Sequence, residues 1–160
     1  MLLERRGALA MWVKPIEWRR PNGSNVVLVT AGGALIIERQ GPLRGKDNKI
    51  RRHEHVFALA KATRDQKHYT HVYGGGAWEN GRWYLLVFNW SWPRMALSVD
   101  AGPFAAKSLP GRPAPKLFGG FNVGSGGGDR GLLDEVIAFR RPLTRAEAKL
   151  LYSIPGSQQR

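Results

Sequence analysis

Apolar residues in this chain come in short runs, and in most runs the large side chains recur at every second position. Leu9, Met11 and Val13 form one such series. A period of two places successive side chains on opposite faces of an extended strand, whereas a helix repeats about every 3.6 residues. The pattern therefore indicates a fold built mainly from β-strands.

Glycine (20 residues) and proline (10 residues) separate the runs at strand-length intervals. Such punctuation is typical of an antiparallel sandwich, in which tight turns join short strands. We predict an all-β chain arranged as two antiparallel sheets. The candidate strands are Gly7–Lys14, Asn25–Ala31, Ala34–Arg39, His53–Ala62, His68–Tyr73, Trp83–Trp90, Arg94–Asp100, Lys116–Val123 and Leu132–Arg140.

Two of these strands are apolar at both sets of alternate positions. In Gly7–Lys14, the residues Ala8, Ala10 and Trp12 fill the places between the large side chains, so we expect this strand inside a sheet. Trp83–Trp90 has the same character. It suits a strand with the core on one side and a covered or ligand-facing groove on the other.

One segment predicts a helix. Thr144-Arg145-Ala146-Glu147 is a T-x-x-E capping box, in which the Thr oxygen and the Glu carboxylate satisfy free backbone amides at a helix start. We expect a helix over Arg145–Tyr152, within one domain of residues 1–156 that is followed by a tail of residues 157–160. Arg39–Arg52 and Ala101–Pro115 have the Pro, Gly and charge of surface loops.

The chain has 25 Lys and Arg residues against 12 Asp and Glu, a formal net charge of +13. Nucleic acid, anionic polysaccharide and acidic membrane surfaces are compatible partners, and an excess that only aids solubility is the alternative. The absence of cysteine excludes disulfides, thiolate metal sites and cysteine nucleophiles. No signal peptide and no apolar stretch of about 18 residues is visible, so we expect no membrane span.

Three segments carry a family likeness. Gly81–Phe88 is a Trp-led strand, and the hairpin strand after it ends in Asp100-Ala101-Gly102. Gly131–Glu147 joins a glycine, an apolar-Asp-Glu-Val strand, an Arg-x-Leu-Thr turn and a short helix. With the early strand Gly7–Pro15, these segments resemble the laminin G-like domains of the concanavalin A-like lectin and glucanase superfamily. The resemblance implies a jelly-roll sandwich and an extracellular or surface-attached location.

The chain departs from the family pattern at two points. Ala101 is inserted between the Asp and the Gly of the hairpin strand. Such domains usually have one more strand before the early one, so we expect either a piece of a longer polypeptide or an exposed edge covered by a partner protein or a second copy.

Exposed aromatic side chains are the usual binding surfaces for sugars, because a flat ring covers the apolar face of a pyranose. The candidates are Trp78 in a glycine-rich loop, Trp90 at a strand end and Trp92 in a hairpin turn. Trp12 and Trp83 lie in alternating strands, and we expect them in the core.

Histidines and tyrosines alternate in two predicted strands. His53 and His55 face one side of their strand, and His71 and Tyr73 share a face of the next, so one antiparallel pair could gather them as ligand-binding residues. With an arginine, such a cluster could also act on uronates in a lyase. A metal site and ordinary strand histidines are the alternatives.

A basic cluster precedes these strands and could follow phosphates or sulfates, with Arg51 as our ligand-binding candidate; a solvated loop is the alternative. Its members are Arg39, Arg44, Lys46, Lys49, Arg51 and Arg52. No known nucleic-acid module is recognisable and no aromatic residues are interleaved with the cluster, so we do not expect nucleic acid as the partner.

Carboxylates are few. The resemblance implies calcium at the sandwich rim, and Asp100 and Asp129 are the candidate oxygen ligands. The glucanase branch carries carboxylates at alternate positions of one strand, and no such series occurs here. Asp134 and Glu135 are adjacent, so a strand would turn them to opposite faces. We expect Asp134 to have a structural role.

These observations favour a non-catalytic glycan-binding module, suited to an anionic polysaccharide and working within a larger protein or assembly. A glycoside hydrolase or polysaccharide lyase on the same fold is the first alternative. A structural protein–protein interaction module, completed by a partner's strand, is the second.

Overall fold

The computed structural model describes residues 6–16, 26–31, 35–40, 43–44, 46–47, 49–52, 56–62, 69–75, 78–108, 121–124 and 130–154. Within these ranges the chain forms twelve strands and one helix. They are β1 (Arg6–Ile16), β2 (Val26–Ala31), β3 (Leu35–Gln40), β4 (Leu43–Arg44), β5 (Ile50–Arg52), β6 (Val56–Ala62), β7 (Tyr69–Gly74), β8 (Tyr84–Ser91), β9 (Arg94–Val99), β10 (Ala105–Ser108), β11 (Phe121–Val123), β12 (Arg130–Phe139) and α1 (Arg145–Ser153).

The strands form two five-stranded sheets and a small hairpin. The first sheet has the order β10-β9-β8-β1-β12, the second has the order β11-β2-β3-β6-β7, and β4 pairs with β5. Neighbouring strands run antiparallel throughout these pairings. The predicted all-β sandwich with one short C-terminal helix is confirmed. Among the described residues, no helix has the length and apolar character needed to cross a membrane.

The core between the sheets includes one set of alternate positions from each of β1, β8 and β9. In the first sheet, Met11 and Phe88 are fully buried, and Ile37 and Val72 meet them from the second sheet. Gly7 of β1 allows the closest packing in this layer. A Cβ at Gly7 would lie 2.5 Å from a ring carbon of Trp90, so a side chain there would displace the indole.

The outer face of the first sheet is buried as well. Ala10 and Trp12 of β1 and Val87 of β8 form a second apolar cluster beneath α1. Tyr152 of α1 stacks on Trp12 with ring centroids 5.7 Å apart. The outer apolar positions of β1 and β8 thus lie beneath the helix. Of the two arrangements expected for Trp83–Trp90, a covered surface or a ligand-facing groove, the structure has the covered surface.

A buried amide fixes the approach to the helix. The Asn89 side chain accepts a hydrogen bond from the Leu143 amide at 2.9 Å and donates one to the Leu143 carbonyl at 2.7 Å. The predicted capping box then begins α1, because the Thr144 hydroxyl accepts from the Glu147 amide and the Glu147 carboxylate accepts from the Thr144 amide. The helix ends at Ser153, one residue beyond the predicted end.

Two segments predicted as loops contain strands. β10 lies within Ala101–Pro115, and the β4–β5 hairpin lies within Arg39–Arg52. These strands have two to four residues. So short a segment cannot show a clear period, and its pairing with a neighbour decides its conformation.

β12 lies at one edge of the first sheet, as far as the structure describes its strands, and a bulge interrupts it. Ala10 pairs with Ile137 and Trp12 pairs with Asp134, so two residues of β12 stand opposite Met11. Glu135 adopts a left-handed φ of 49°, and its amide donates to the Asp134 carboxylate at 2.8 Å. Asp134 therefore has the structural role expected from the sequence.

Asn89→Ala should lower the free energy of unfolding by at least about 2 kcal/mol, because it leaves the buried Leu143 amide and carbonyl without their partner. Urea denaturation followed by tryptophan fluorescence measures this loss. Asn122→Ala, at an exposed position of β11, is the matched control and should cost far less. Equal losses in the two variants would contradict the role of the Asn89 contact.

Glu147 gives the fold a pH dependence. Hydrogen bonds from Arg141 and from the Thr144 amide and hydroxyl lower the pKa of its carboxyl from 4.5 to about 2. Because the folded-state pKa is depressed, the stabilisation is complete above pH 4.5 and is lost as the pH falls through about 2. Glu147→Gln should flatten this part of the profile of Tm against pH, and Arg141→Gln should move the decline to higher pH. An unchanged profile in both variants would refute the assignment.

Candidate functional site

Four polar side chains gather on the outer face of the second sheet. Ile37 and Val72 point into the core, so alternation turns their strand neighbours to the opposite side of the sheet. We call these neighbours the sheet-face cluster: Glu38 and Gln40 of β3, and His71 and Tyr73 of β7.

Contacts connect the members of the sheet-face cluster. His71 Nε2 lies 4.0 Å from Glu38 Oε1. The Gln40 side-chain amide donates a hydrogen bond to the same carboxylate oxygen. The rings of His71 and Tyr73 are parallel within 3°, with centroids 5.7 Å apart. The four side chains therefore form one patch.

The strand between β3 and β7 carries alanine at the corresponding positions. Ala58 of β6 pairs with Glu38 on one side and Tyr73 on the other, and Ala60 pairs with Ile36 and His71. The contact between His71 and Glu38 spans this strand, so the cluster depends on the register of three strands.

The cluster is partly shielded from water. Glu38 is 7% exposed and Gln40 is 9% exposed, whereas His71 and Tyr73 are half-buried. A shielded carboxylate needs polar partners, and Gln40 and His71 supply them. The half-exposed rings, together with an amide and a carboxylate, offer both donors and acceptors, as a polyhydroxylated ligand requires.

Two of the three tryptophans predicted as sugar-binding surfaces are core residues, and for them the prediction is wrong. Trp78 is 2% exposed and Trp90 is 1% exposed, and both belong to the cluster between the sheets. Trp78 lies in a loop, but the loop places its indole in the core between the sheets. Trp90 follows the inward alternation of Leu86 and Phe88 on β8.

The other predicted ligand-binding residues have different positions. Trp92 is half-buried in the β8–β9 hairpin turn. Arg51 belongs to β5, whose side chains are not described. His53 and His55 lie outside the described residues. Of the predicted histidines and tyrosines, the structure brings together His71 and Tyr73.

One member of the basic cluster is not available to an anion. Arg39 is fully buried, and its guanidinium carbon lies 5.3 Å from the centroid of the Trp78 ring. It follows Ile37 on the inward face of β3, so the strand carries it into the core. Lys46 and Lys49 are exposed, as the prediction of a surface segment requires.

Asp100 lies at the sandwich rim, where its carboxylate already has partners. Oδ1 accepts a hydrogen bond from the Leu85 amide at 3.0 Å, and Oδ2 accepts one from the Arg82 guanidinium at 2.8 Å. Burial raises the pKa of the Asp100 carboxyl, and these two partners act in the opposite direction. Asp129, the second predicted calcium ligand, lies outside the described residues. Within the described part, no group of three or more His, Asp or Glu residues could hold a metal ion.

Glu38 and Gln40 are not among the site residues predicted from the sequence. The signal was present, because Ile36, Glu38 and Gln40 alternate with Ile37 and Arg39 and so share one face of their strand. The sequence does not show which strands lie beside β3 in the sheet. Only the order β3-β6-β7 brings Glu38 towards His71.

No protein-family model and no curated protein matches the sequence. Solved structures do match the fold. The botulinum neurotoxin serotype D binding domain has a TM-score of 0.70 at 8% identity, covering 94% of this chain and 37% of that one. The serotype D ligand-binding domain in complex with N-acetylneuraminic acid has a TM-score of 0.68 at 8% identity, with coverage of 94% and 37%. A native heptameric SAP-like pentraxin from Limulus polyphemus has a TM-score of 0.55 at 16% identity, with coverage of 93% and 70%.

These likenesses establish the fold. The chain has the two-sheet jelly-roll sandwich that these toxin binding domains and the pentraxin share. It spans 37% of the length of the toxin binding domains that it matches.

Trp78→Ala should lower the free energy of unfolding by about 3–5 kcal/mol, because it empties a core position of its largest side chain. Trp92→Ala, at a half-buried turn position, should cost less than about 1 kcal/mol. Chemical denaturation of both variants measures the difference. A Trp78→Ala variant as stable as Trp92→Ala would show that the indole is not part of the core.

Proposed function

We propose that this chain is a non-catalytic glycan-binding module of the laminin G-like type. Its ligand is an anionic polysaccharide, and it works within a larger protein or assembly. The observation that carries the proposal is the sheet-face cluster, in which two half-exposed rings stand beside an amide and a carboxylate. Sugar sites combine aromatic surface with a few convergent polar groups, and this patch has both.

The polar groups suit sugar hydroxyls. The Glu38 carboxylate can accept a hydrogen bond from a hydroxyl group and keep its contact with Gln40, because each carboxylate oxygen has two acceptor sites. The His71 and Tyr73 side chains can each donate or accept. The sheet-face cluster therefore recognises the hydroxyl groups of the ligand.

The charge of the chain supports an anionic ligand. A net charge of +13 attracts a polyanion over distances longer than a hydrogen bond and raises its rate of association. Recognition of hydroxyls by the cluster and attraction of charge by the whole surface are compatible. The serotype D toxin domain in complex with N-acetylneuraminic acid shows that a sandwich of this fold occurs in a protein that binds an acidic sugar.

A glycan array with neutral, sialylated, uronic and sulfated glycans, read at low and at high salt, tests the proposal. Binding that persists at high salt is expected, since attraction through the net charge alone is screened. His71→Ala and Tyr73→Phe should each weaken that binding by about tenfold, the effect of one hydrogen bond.

Tyr152→Phe is the matched control, because Tyr152 stacks on Trp12 at the opposite face of the molecule, and its binding should equal that of the wild type. An array without hits at high salt would overturn the proposal. Release of reducing ends or of unsaturated uronates from a bound polysaccharide would instead favour the hydrolase or the lyase.

A further inference from the structure

A row of polar side chains crosses the first sheet at its hairpin end, on the outer face and away from the sheet-face cluster. On β1 the outward positions are those of Ala8, Ala10 and Trp12, and Arg6 continues that series. The row then follows the register from strand to strand: Arg6 pairs with Ser91, Ser91 with Arg94, and Arg94 with Ser108. We call it the arginine row.

On the same outer face, the next row towards the middle of the strands consists of three alanines and one asparagine. Ala8 pairs with Asn89, Asn89 with Ala96, and Ala96 with Ala106. These residues leave space beside the arginine row, and the structure has a cavity of about 250 Å³ there. Its lining includes Ser91, Arg94, Ala96, Phe104 and Pro142.

The two arginines are available to a ligand. Arg6 and Arg94 are exposed, and within the described ranges no carboxylate pairs with either guanidinium. They lie on strands that flank β8, at a spacing of roughly 10 Å. Two like charges on one face repel each other, and an anion placed between them would relieve that repulsion.

We propose that the arginine row and its cavity bind a sulfate or phosphate ester carried on one ring-sized group. The two arginines belong to the strands on either side of β8. A tetrahedral oxyanion has acceptor oxygens in both directions, whereas a planar carboxylate presents them in one plane. The Ser91 hydroxyl, between the two arginines in the register, donates a third hydrogen bond.

The cavity fixes the size of the rest of the ligand. At about 250 Å³ it is smaller than the usual range for a drug-sized molecule and suits one ring. Phe104 and Pro142 supply apolar surface for the face of that ring, and the ester group reaches the arginine row. This site is separate from the sheet-face cluster, and it does not depend on the proposed glycan function.

Titration of the ¹⁵N-labelled protein with inorganic sulfate, glucose 6-sulfate, glucose 6-phosphate and glucose tests the site by NMR. Amide shifts should appear at Ser91, Arg94 and Ala96 with either ester and be absent with glucose. Glucose 6-sulfate should bind more tightly than inorganic sulfate, because its ring enters the cavity. Preference between the two esters identifies which one the site takes, and either preference supports the proposal.

Arg94→Gln and Arg6→Gln should each weaken binding of the preferred ester by about tenfold, the effect of a charge-assisted hydrogen bond. Lys107→Gln removes the same charge from an exposed position of β10 that pairs with Met95, and it should leave binding unchanged. His71→Ala should leave it unchanged as well. Equal weakening by Lys107→Gln and Arg94→Gln, or shifts confined to other regions, would overturn the site.

Discussion

The architecture depends on two adjacent strands that are apolar on both faces. β1 and β8 lie in the middle of the first sheet, so each must bury two surfaces. The second sheet covers the inner surface, and α1 covers the outer one. The hydrogen bonds of Asn89 to Leu143 hold the chain where it enters the helix. The helix therefore covers part of the outer face of the first sheet, and the sheet-face cluster lies on the outer face of the second.

The alternation of the sequence predicts most of this layout. Each of the nine predicted strands overlaps a strand of the described residues, and the helix lies where its capping box places it. Residues 53–55 and 116–120, which belong to two of the predicted strands, lie outside the described residues. The loops are different. Trp78 is in a glycine-rich loop, and no periodicity reveals that this loop folds its indole into the core. The burial of Arg39 could not be predicted from the sequence either. A charged residue is expected at the surface, but a guanidinium can be buried when an aromatic ring lies against it.

The candidate sites show which part of function depends on strand order. His71 and Tyr73 are two residues apart on one strand, so their shared face follows from the sequence. Glu38 lies near them only because β3 and β7 are both neighbours of β6 in the sheet. The arginine row has the same origin, since Arg6 and Arg94 are far apart in the chain and share a face through their register with Ser91. The two proposed sites therefore lie on the outer faces of different sheets.

The bulge in β12 has a consequence for how copies of this chain behave in concentrated solution. An uninterrupted border strand of ten residues would offer a continuous line of backbone donors and acceptors to any extended segment nearby. The left-handed turn at Glu135 divides that line into two short pieces that do not lie in one plane. Within the part of the sheet that the structure describes, an extended segment that docks along either piece gains fewer hydrogen bonds than a continuous edge would offer.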